Sequence, residues 1–294
     1  MFKPLYLLLI LGFLWEMAIG QDKPQYAVSL IPDTLKKNVN SILREEIENL
    51  TISSPGKGTM EIKRVITVLN EKDEEHLTFY DYFDKFRKID DVEINIYDAN
   101  GRFKKSSRKR DLHQQSTWDG FSLVTDGKIL YAQLRTDVFP ITIEINYEVN
   151  FDGMLEYDDF TPQYSNMSIQ HKAYSITVDS NNKVRFKNYK CAIQPTIRKK
   201  DSKWTYFWEV SNIYPLHNEP GSSPDDYPHV MISPTYFVMD DYQGNMTSWK
   251  SFGAWQTSLI KETNQLPVAN QSFYKDLVKG ATSEREKVSI LYKY

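Results

Sequence analysis

The stretch MEIKRVITVL, residues 60–69, determines the predicted fold class because its side chains alternate between two faces. The even-numbered residues from Met60 to Val68 are apolar except for Arg64, and the odd-numbered residues are mixed. Successive side chains of a β-strand point to opposite faces, so this pattern predicts a strand with one buried face.

Similar alternation recurs from Ser41 to about Phe237, for example over residues 92–97, 141–147 and 204–210. The 19 Tyr, 15 Phe and 6 Trp residues also favour strands. Polar turns separate the segments: residues 98–101 end in Asn-Gly, and residues 179–182 predict a hairpin between their flanking strands. Short strands with such turns predict a mainly β fold, an antiparallel β-sandwich over residues 21–240.

The pattern changes near residue 240. Phe252, Trp255 and Leu259 have helical spacing, a second short helix is predicted around Phe273, and a capping box at Ser283 begins a third. Residues 241–294 are therefore predicted to form a short C-terminal helical segment. We expect it to continue beyond this sequence, because the third helix reaches the last residue without a C-cap.

Residues 1–20 are typical of an export signal. Lys3 precedes an apolar run of 11 residues, Leu5–Trp15, and small residues before Gln21 predict cleavage at that point. The run is shorter than the roughly 20 apolar residues of a membrane span. We therefore expect a periplasmic or secreted protein with no stable membrane span after signal cleavage.

The composition argues against several functional classes. The 36 basic and 39 acidic residues give a net charge of −3, which provides no overall field for nucleic acid. One cysteine excludes an internal disulfide framework. The sequence contains no glycine-rich phosphate loop, nucleophile elbow or His-Glu-x-x-His motif, which lowers the expectation of an enzyme.

Candidate chemical groups are few. Cys191 lacks the helix-start or basic context that activates a thiol, so we interpret it as a small buried apolar residue. A proline-rich loop, residues 217–229, holds the densest set of metal-ligand types, which are His217, Glu219, Asp225, Asp226 and His229. Their spacing fits no known helical site. We predict no catalytic, cofactor-binding or metal residue, and an autonomous periplasmic hydrolase using this loop stays open as an alternative.

Two charged clusters have open roles. Arg102–Arg110 carries six positive charges in nine residues and is interpreted as a solvated hairpin or loop, with an anionic surface as the alternative. Glu71–Asp84 combines carboxylates with aromatic residues, the ingredients of a carbohydrate or peptide cleft. Protection of an edge strand is the preferred interpretation for these acids, and mutual attraction of the two clusters is a further alternative.

Six segments together resemble a known family. They are RVITVLNE (64–71), FPITIEINY (139–147), NIYPLHNEP (212–220), PHVMIS (228–233), SWKSFGAW (248–255) and REKVSILY (285–292). Their order resembles the domain of unknown function 3857, which precedes a transglutaminase-like domain in bacterial exported proteins.

The resemblance implies that residues 241–294 are a helical lead-in to a transglutaminase-like domain. The Cys-His-Asp triad of that domain would lie beyond this chain. The expected function is then a non-catalytic exported module that binds a peptide, a glycan or a cell-envelope protein. A purely structural envelope component is a second alternative, beside the hydrolase.

Overall fold

The protein is described here by a computed structural model that covers residues 24–117, 126–216, 221, 227–261, 263 and 265–294. The chain divides into two compact units, with the division between Asp241 and Tyr242. His217, Glu219, Asp225 and Asp226, and the predicted export signal, lie outside the described residues.

The first unit is built from β-strands and short 3-10 turns. The strands are β1 Ser41–Ser54, β2 Lys57–Val68, β3 Thr78–Phe83, β4 Arg87–Tyr97, β5 Phe103–Arg108, β6 His113–Ser116, β7 Lys128–Gln133, β8 Ile141–Asp152, β9 Met167–Asp179, β10 Val184–Tyr189, β11 Thr196–Lys200, β12 Lys203–Ile213, β13 His229–Pro234 and β14 Tyr236–Met239. The 3-10 turns are Val28–Leu30, Asp33–Lys36, Glu71–Leu77 and Lys109–Asp111.

Eight of these strands form one large sheet in the order β11-β12-β9-β1-β2-β8-β4-β5. A three-stranded sheet has the order β3-β7-β6, and β10 pairs with β13. The predicted mainly β fold with C-terminal helices is confirmed. The two-layer sandwich is not confirmed, and the sheet is not purely antiparallel, because β1 and β9 run parallel with Leu43 opposite Ile169. Alternation fixes the face of a side chain but not the direction of the neighbouring strand.

The second unit begins with β15, Tyr242–Asn245, and contains α1 Trp249–Leu259, α2 Val268–Leu277 and α3 Glu284–Lys293. The three helices occur where the sequence predicts them. Ser248 caps α1 by accepting a hydrogen bond from the Ser251 amide, and Ser283 caps α3 through the Glu286 amide. Among the described residues, each helix is too short or too polar to cross a bilayer.

One predicted turn forms, and one predicted hairpin does not. The amide of Gly101 donates to the Asp98 carbonyl at 2.8 Å, with Gly101 at φ +75°, as expected for Asn-Gly. The predicted hairpin across residues 179–182 is wrong, because β10 pairs with β13 instead of β9. The Asn182 side chain exchanges hydrogen bonds with the backbone of Tyr236, which directs the chain into this second pairing.

Residues 24–40 cover part of the outer face of the large sheet. Ile31, Leu35 and Val39 pack with Ile42 of β1. The Tyr26 hydroxyl donates to Glu144 Oε1 at 2.7 Å and so fixes the segment on β8.

The inner face of the large sheet holds two apolar cores separated by a row of charges. One core contains Leu50 and Met60, and the other contains Leu43 and Ile66. Between them, neighbouring strands place Lys172, Glu46 and Arg64 side by side. This set is called the ion row. Lys172 Nζ lies 2.8 Å from Glu46 Oε2, and Arg64 Nη2 lies 2.5 Å from Glu46 Oε1.

Two members of the ion row are buried and hydrogen-bonded, and the third, Arg64, has a side chain that is 38% exposed. The Glu46 and Lys172 side chains are 1% and 5% exposed. The Tyr164 hydroxyl accepts a hydrogen bond from Lys172 and donates to Glu46 Oε2 at 3.1 Å. Removing one member of such a set leaves a buried charge uncompensated, which costs more than the intact row contributes.

We expect Lys172→Met to lower the free energy of unfolding by about 3–5 kcal/mol, because Glu46 then loses its buried cation and keeps the partly exposed Arg64 and the Tyr164 hydroxyl. Lys63→Met is the matched control. It removes a 2.5 Å contact with Glu45 in which both side chains are about one-third exposed, and it should cost less than about 1 kcal/mol. Urea unfolding followed by circular dichroism measures both values. Equal losses in the two variants would contradict a structural role for the ion row.

Candidate functional site

A groove lies on the inner face, beside the ion row. Two cavities of about 400 and 560 Å³ adjoin there and share Arg64, Ile66, Glu75 and His76. We call the two cavities together the groove. Its larger part is lined by residues 161–167 with Tyr227, and its smaller part by β2, β3 and β8. These volumes are within the range of about 300–1,000 Å³ that is usual for ligand sites.

The smaller part of the groove has an apolar wall. Met60 and Ile62 of β2, Ile145 and Tyr147 of β8, and Phe79 of β3 line it. The alternation of β2 and β8 places the four side chains of these strands on the inner face, with Ile62 opposite Tyr147 in register. Phe79 and Tyr147 meet edge to face, with ring centroids 5.3 Å apart. Such a surface can hold the apolar part of a ligand.

Glu48 adds a second carboxylate beside the ion row. It lies two residues after Glu46 on the same face of β1, and its side chain is 14% exposed. Arg64 Nη2 is 3.9 Å from Glu48 Oε1, whereas the Arg64 Nε and Nη2 atoms both lie 2.5 Å from Glu46. The Glu48 carboxylate accepts no hydrogen bond from the described residues within normal distance and lines the groove.

The pKa values of the neighbouring carboxyls of Glu46 and Glu48 are shifted in opposite directions. Burial raises the pKa of Glu48 to about 7, and the charge of Glu46 adds to this effect. Burial alone would also raise the pKa of Glu46, but the charges of Lys172 and Arg64 lower it to about 2. Glu46 is therefore the ionised partner of the row, and Glu48 changes its charge near neutral pH.

Further acids surround the groove. Asp81 and Asp158 line the smaller part with Glu48, and Glu75 lines both parts. Asp81 is paired with Arg87, whose Nη2 lies 2.9 Å from Asp81 Oδ2. The groove therefore combines an apolar wall with an excess of carboxylates.

Among the described residues, no histidine ring is hydrogen-bonded to Cys191. Its half-buried thiol donates to the backbone carbonyl of His229 at 3.5 Å. The His229 ring has other neighbours: Nδ1 is 2.9 Å from the Tyr227 carbonyl, and Nε2 is 4.0 Å from Asp159. Neither ring nitrogen is thus placed to take the thiol proton, which a nucleophilic cysteine requires.

Five residues of the loop 217–229 were considered as metal ligands. Of these, only His229 lies within the described part of the chain. Within the described ranges, no group of three or more His, Cys, Asp and Glu residues could hold a metal ion.

The basic cluster Arg102–Arg110 forms β5, the edge strand of the large sheet, in a hairpin with β4. Its charges pair locally with acids of the same region and not with Glu71–Asp84: Lys104 with Asp98, Arg108 with Glu93, Lys109 with Asp90, and Arg110 with Asp111. Lysines on an edge strand discourage pairing with another chain.

The acidic cluster Glu71–Asp84 has two structural roles. Its second half forms β3, an edge strand of the three-stranded sheet. Glu75, Phe79 and Asp81 also line the groove, so the cleft interpretation applies to part of the cluster.

Nothing in the sequence pattern singles out Glu46, Glu48 or Lys172 as residues of this site. The one sequence feature that points to it is Arg64, a charged residue on the otherwise apolar face of β2.

The family model described as Domain of Unknown Function with solved-structure structure, DUF3857, matches residues 54–217. No protein with a curated description matches the sequence.

Among solved structures, a protein from Parabacteroides distasonis described as a "putative protease" superposes with a TM-score of 0.65 at 13% identity. The match covers 86% of this chain and 49% of that protein, so this chain spans about half of its length. An M1 zinc metallopeptidase from Deinococcus radiodurans gives a TM-score of 0.32 at 8% identity, over 66% of this chain and 42% of the other. The first match shows a shared fold, and the second is too weak to support an argument.

Glu48 should make the stability depend on pH. Its pKa is about 7 in the folded chain and near 4.5 when unfolded, so its contribution is complete below pH 4.5 and is lost as the pH rises through 7. We expect Glu48→Gln to be more stable than the wild type at pH 8.5, by roughly 1–3 kcal/mol, and to lose this advantage by pH 4.5. Urea unfolding at several pH values tests this. A constant difference between the two chains would contradict it.

Proposed function

The chain belongs to the DUF3857 family, and from this premise we propose that it is a non-catalytic binding module of an exported protein, with the groove as its binding site for an extended peptide. The observation that carries the proposal is the groove itself, in which an apolar wall adjoins a carboxylate without a hydrogen-bond partner among the described residues. Concave sites of this composition are where proteins bind ligands.

A peptide is favoured over a glycan or another envelope component by the form of the groove. The two cavities adjoin, with His76 in the lining of both, and two adjoining cavities suit an extended chain more than a compact ligand. The protein from P. distasonis that shares this fold is described as a "putative protease", and a protease acts on peptides. We therefore propose that this module is part of a larger protein and binds a peptide for it.

The proposal includes a larger protein to which this chain belongs, and the second unit supports it. Each helix of the second unit leaves large apolar side chains exposed, including Trp249 at 89%, Val268 at 84% and Tyr292 at 91%. Contiguous exposed apolar patches mark surfaces that pack against a partner, and we infer that these side chains contribute to such a surface. We propose that residues 241–294 lead into a transglutaminase-like domain, which would supply any catalysis.

The groove is tested with a phage-displayed library of random nine-residue peptides. We expect the wild-type chain to enrich peptides that bind with micromolar affinity. His76→Trp fills the junction of the two cavities and should weaken binding by about tenfold or more. His113→Trp is the control, because His113 is exposed on β6 and does not line the groove. Failure to enrich peptides, or equal binding by His76→Trp, would contradict the proposal.

Export is tested by cell fractionation. We expect the full chain to lose residues 1–20 and to accumulate outside the cytoplasm, because a basic residue followed by an apolar run directs secretion. A variant lacking residues 2–20 should stay in the cytoplasm. N-terminal sequencing that finds residues 1–20 intact on the exported chain would contradict cleavage before Gln21.

A further inference from the structure

We propose that the smaller part of the groove binds the ammonium or guanidinium group of a lysine or arginine side chain in the bound peptide. This inference rests on the proposed function and names the type of residue that the groove selects. The smaller part is the cavity of about 400 Å³, and the charges of its lining residues support the proposal.

Acids outnumber bases around this cavity. Its lining contains Glu48, Glu75, Asp81 and Asp158, against two permanently charged cations, Arg64 and Arg87. Both cations are already paired. Arg87 is bound to Asp81 of the same lining at 2.9 Å, and Arg64 is bound to Glu46 of the ion row at 2.5 Å, with Glu48 at the longer distance of 3.9 Å.

Among the described residues, three carboxylates of this lining therefore have no hydrogen-bonded cation: Glu48, Glu75 and Asp158. Glu48 is the most deeply placed of them, because its side chain is 14% exposed, whereas Glu75 and Asp158 are exposed. A carboxylate in such a position loses hydration without receiving a hydrogen bond in return. A ligand cation would supply that bond, and bonds between charged groups are the stronger ones.

The apolar wall suits the rest of a basic side chain. Met60, Ile62 and Ile145 lie on the same inner face as Glu48 and line the same cavity. Lysine and arginine carry aliphatic stems that pack on apolar surfaces while the charged end reaches a polar group. An amine on a short or fully polar ligand would use the carboxylates but not this wall.

A metal ion is a poorer occupant. A calcium ion takes six to eight oxygen ligands at about 2.3–2.6 Å, and within the described ranges no three acidic or histidine side chains converge in that way. Charge and shape together favour an organic cation on an extended chain.

The test uses mixtures of nine-residue peptides with a fixed central residue and uncharged residues at the other positions. The centre is lysine, arginine, norleucine or glutamate. Norleucine keeps an aliphatic stem and removes the charge. We expect the wild-type chain at pH 8 to bind the lysine and arginine mixtures about tenfold more tightly than the norleucine mixture, and the glutamate mixture most weakly. Isothermal titration calorimetry measures the affinities.

Glu48→Gln tests which group is responsible. It should reduce the preference for lysine over norleucine to less than about threefold. Glu61→Gln is the matched control, since Glu61 is an exposed residue of the same hairpin on the outer face, and the preference should persist. Circular dichroism checks that the variants fold. If Glu48→Gln does not fold, Asp158→Asn should lower the preference instead.

The outcomes separate the two proposals. Equal binding of the lysine and norleucine mixtures to the wild type, with loss of both in His76→Trp, would overturn the cation site and leave the groove intact. A lysine preference that survives Glu48→Gln and Asp158→Asn would also overturn it. Absence of binding by every mixture would contradict the proposed function as well.

Discussion

The buried carboxylate of Glu46 is the constraint on which the rest of the first unit depends. It must meet Lys172 and Arg64 at the same time, because a buried charge without its partners is costly. This requires β9 to lie parallel to β1 with Lys172 opposite, and β2 to lie antiparallel with Arg64 opposite. A shift of one residue in either strand would turn its charge to the other face. The ion row therefore fixes the register of three central strands.

The same row explains why a groove exists. Apolar side chains on either side of it are covered by other elements, with Phe79 of the three-stranded sheet over one core and Phe160 over the other. Glu46 and Lys172 are covered, because the Phe160 and Tyr164 rings lie over Lys172. The side chains of Arg64 and Glu48 stay 38% and 14% exposed where they line the groove, and only a distant contact joins them. The structural role of Glu46 and the binding role proposed for Glu48 are thus adjacent on one strand.

Local features of this molecule are predictable from sequence, and its long-range pairings are not. The alternation of residues 60–68 and the serine caps at Ser248 and Ser283 indicate their own structures, because each depends on neighbours in the chain. The parallel pairing of β1 with β9 and the exchange of β10 to β13 depend on residues far away in sequence. In the sequence, Arg64 interrupts the apolar face of β2, but its partner Glu46 can be named only from the pairing of β1 with β2.

The most direct test of this account is the titration of the Glu48 carboxyl carbon by ¹³C nuclear magnetic resonance, with and without the lysine-centred peptides. The account predicts that this carboxyl titrates near pH 7 in the free chain and at a lower pH in the complex, because a bound cation favours its ionised form. A free-chain titration near pH 4.5 that the peptides leave unchanged would show that Glu48 is neither buried beside the ion row nor in contact with the ligand.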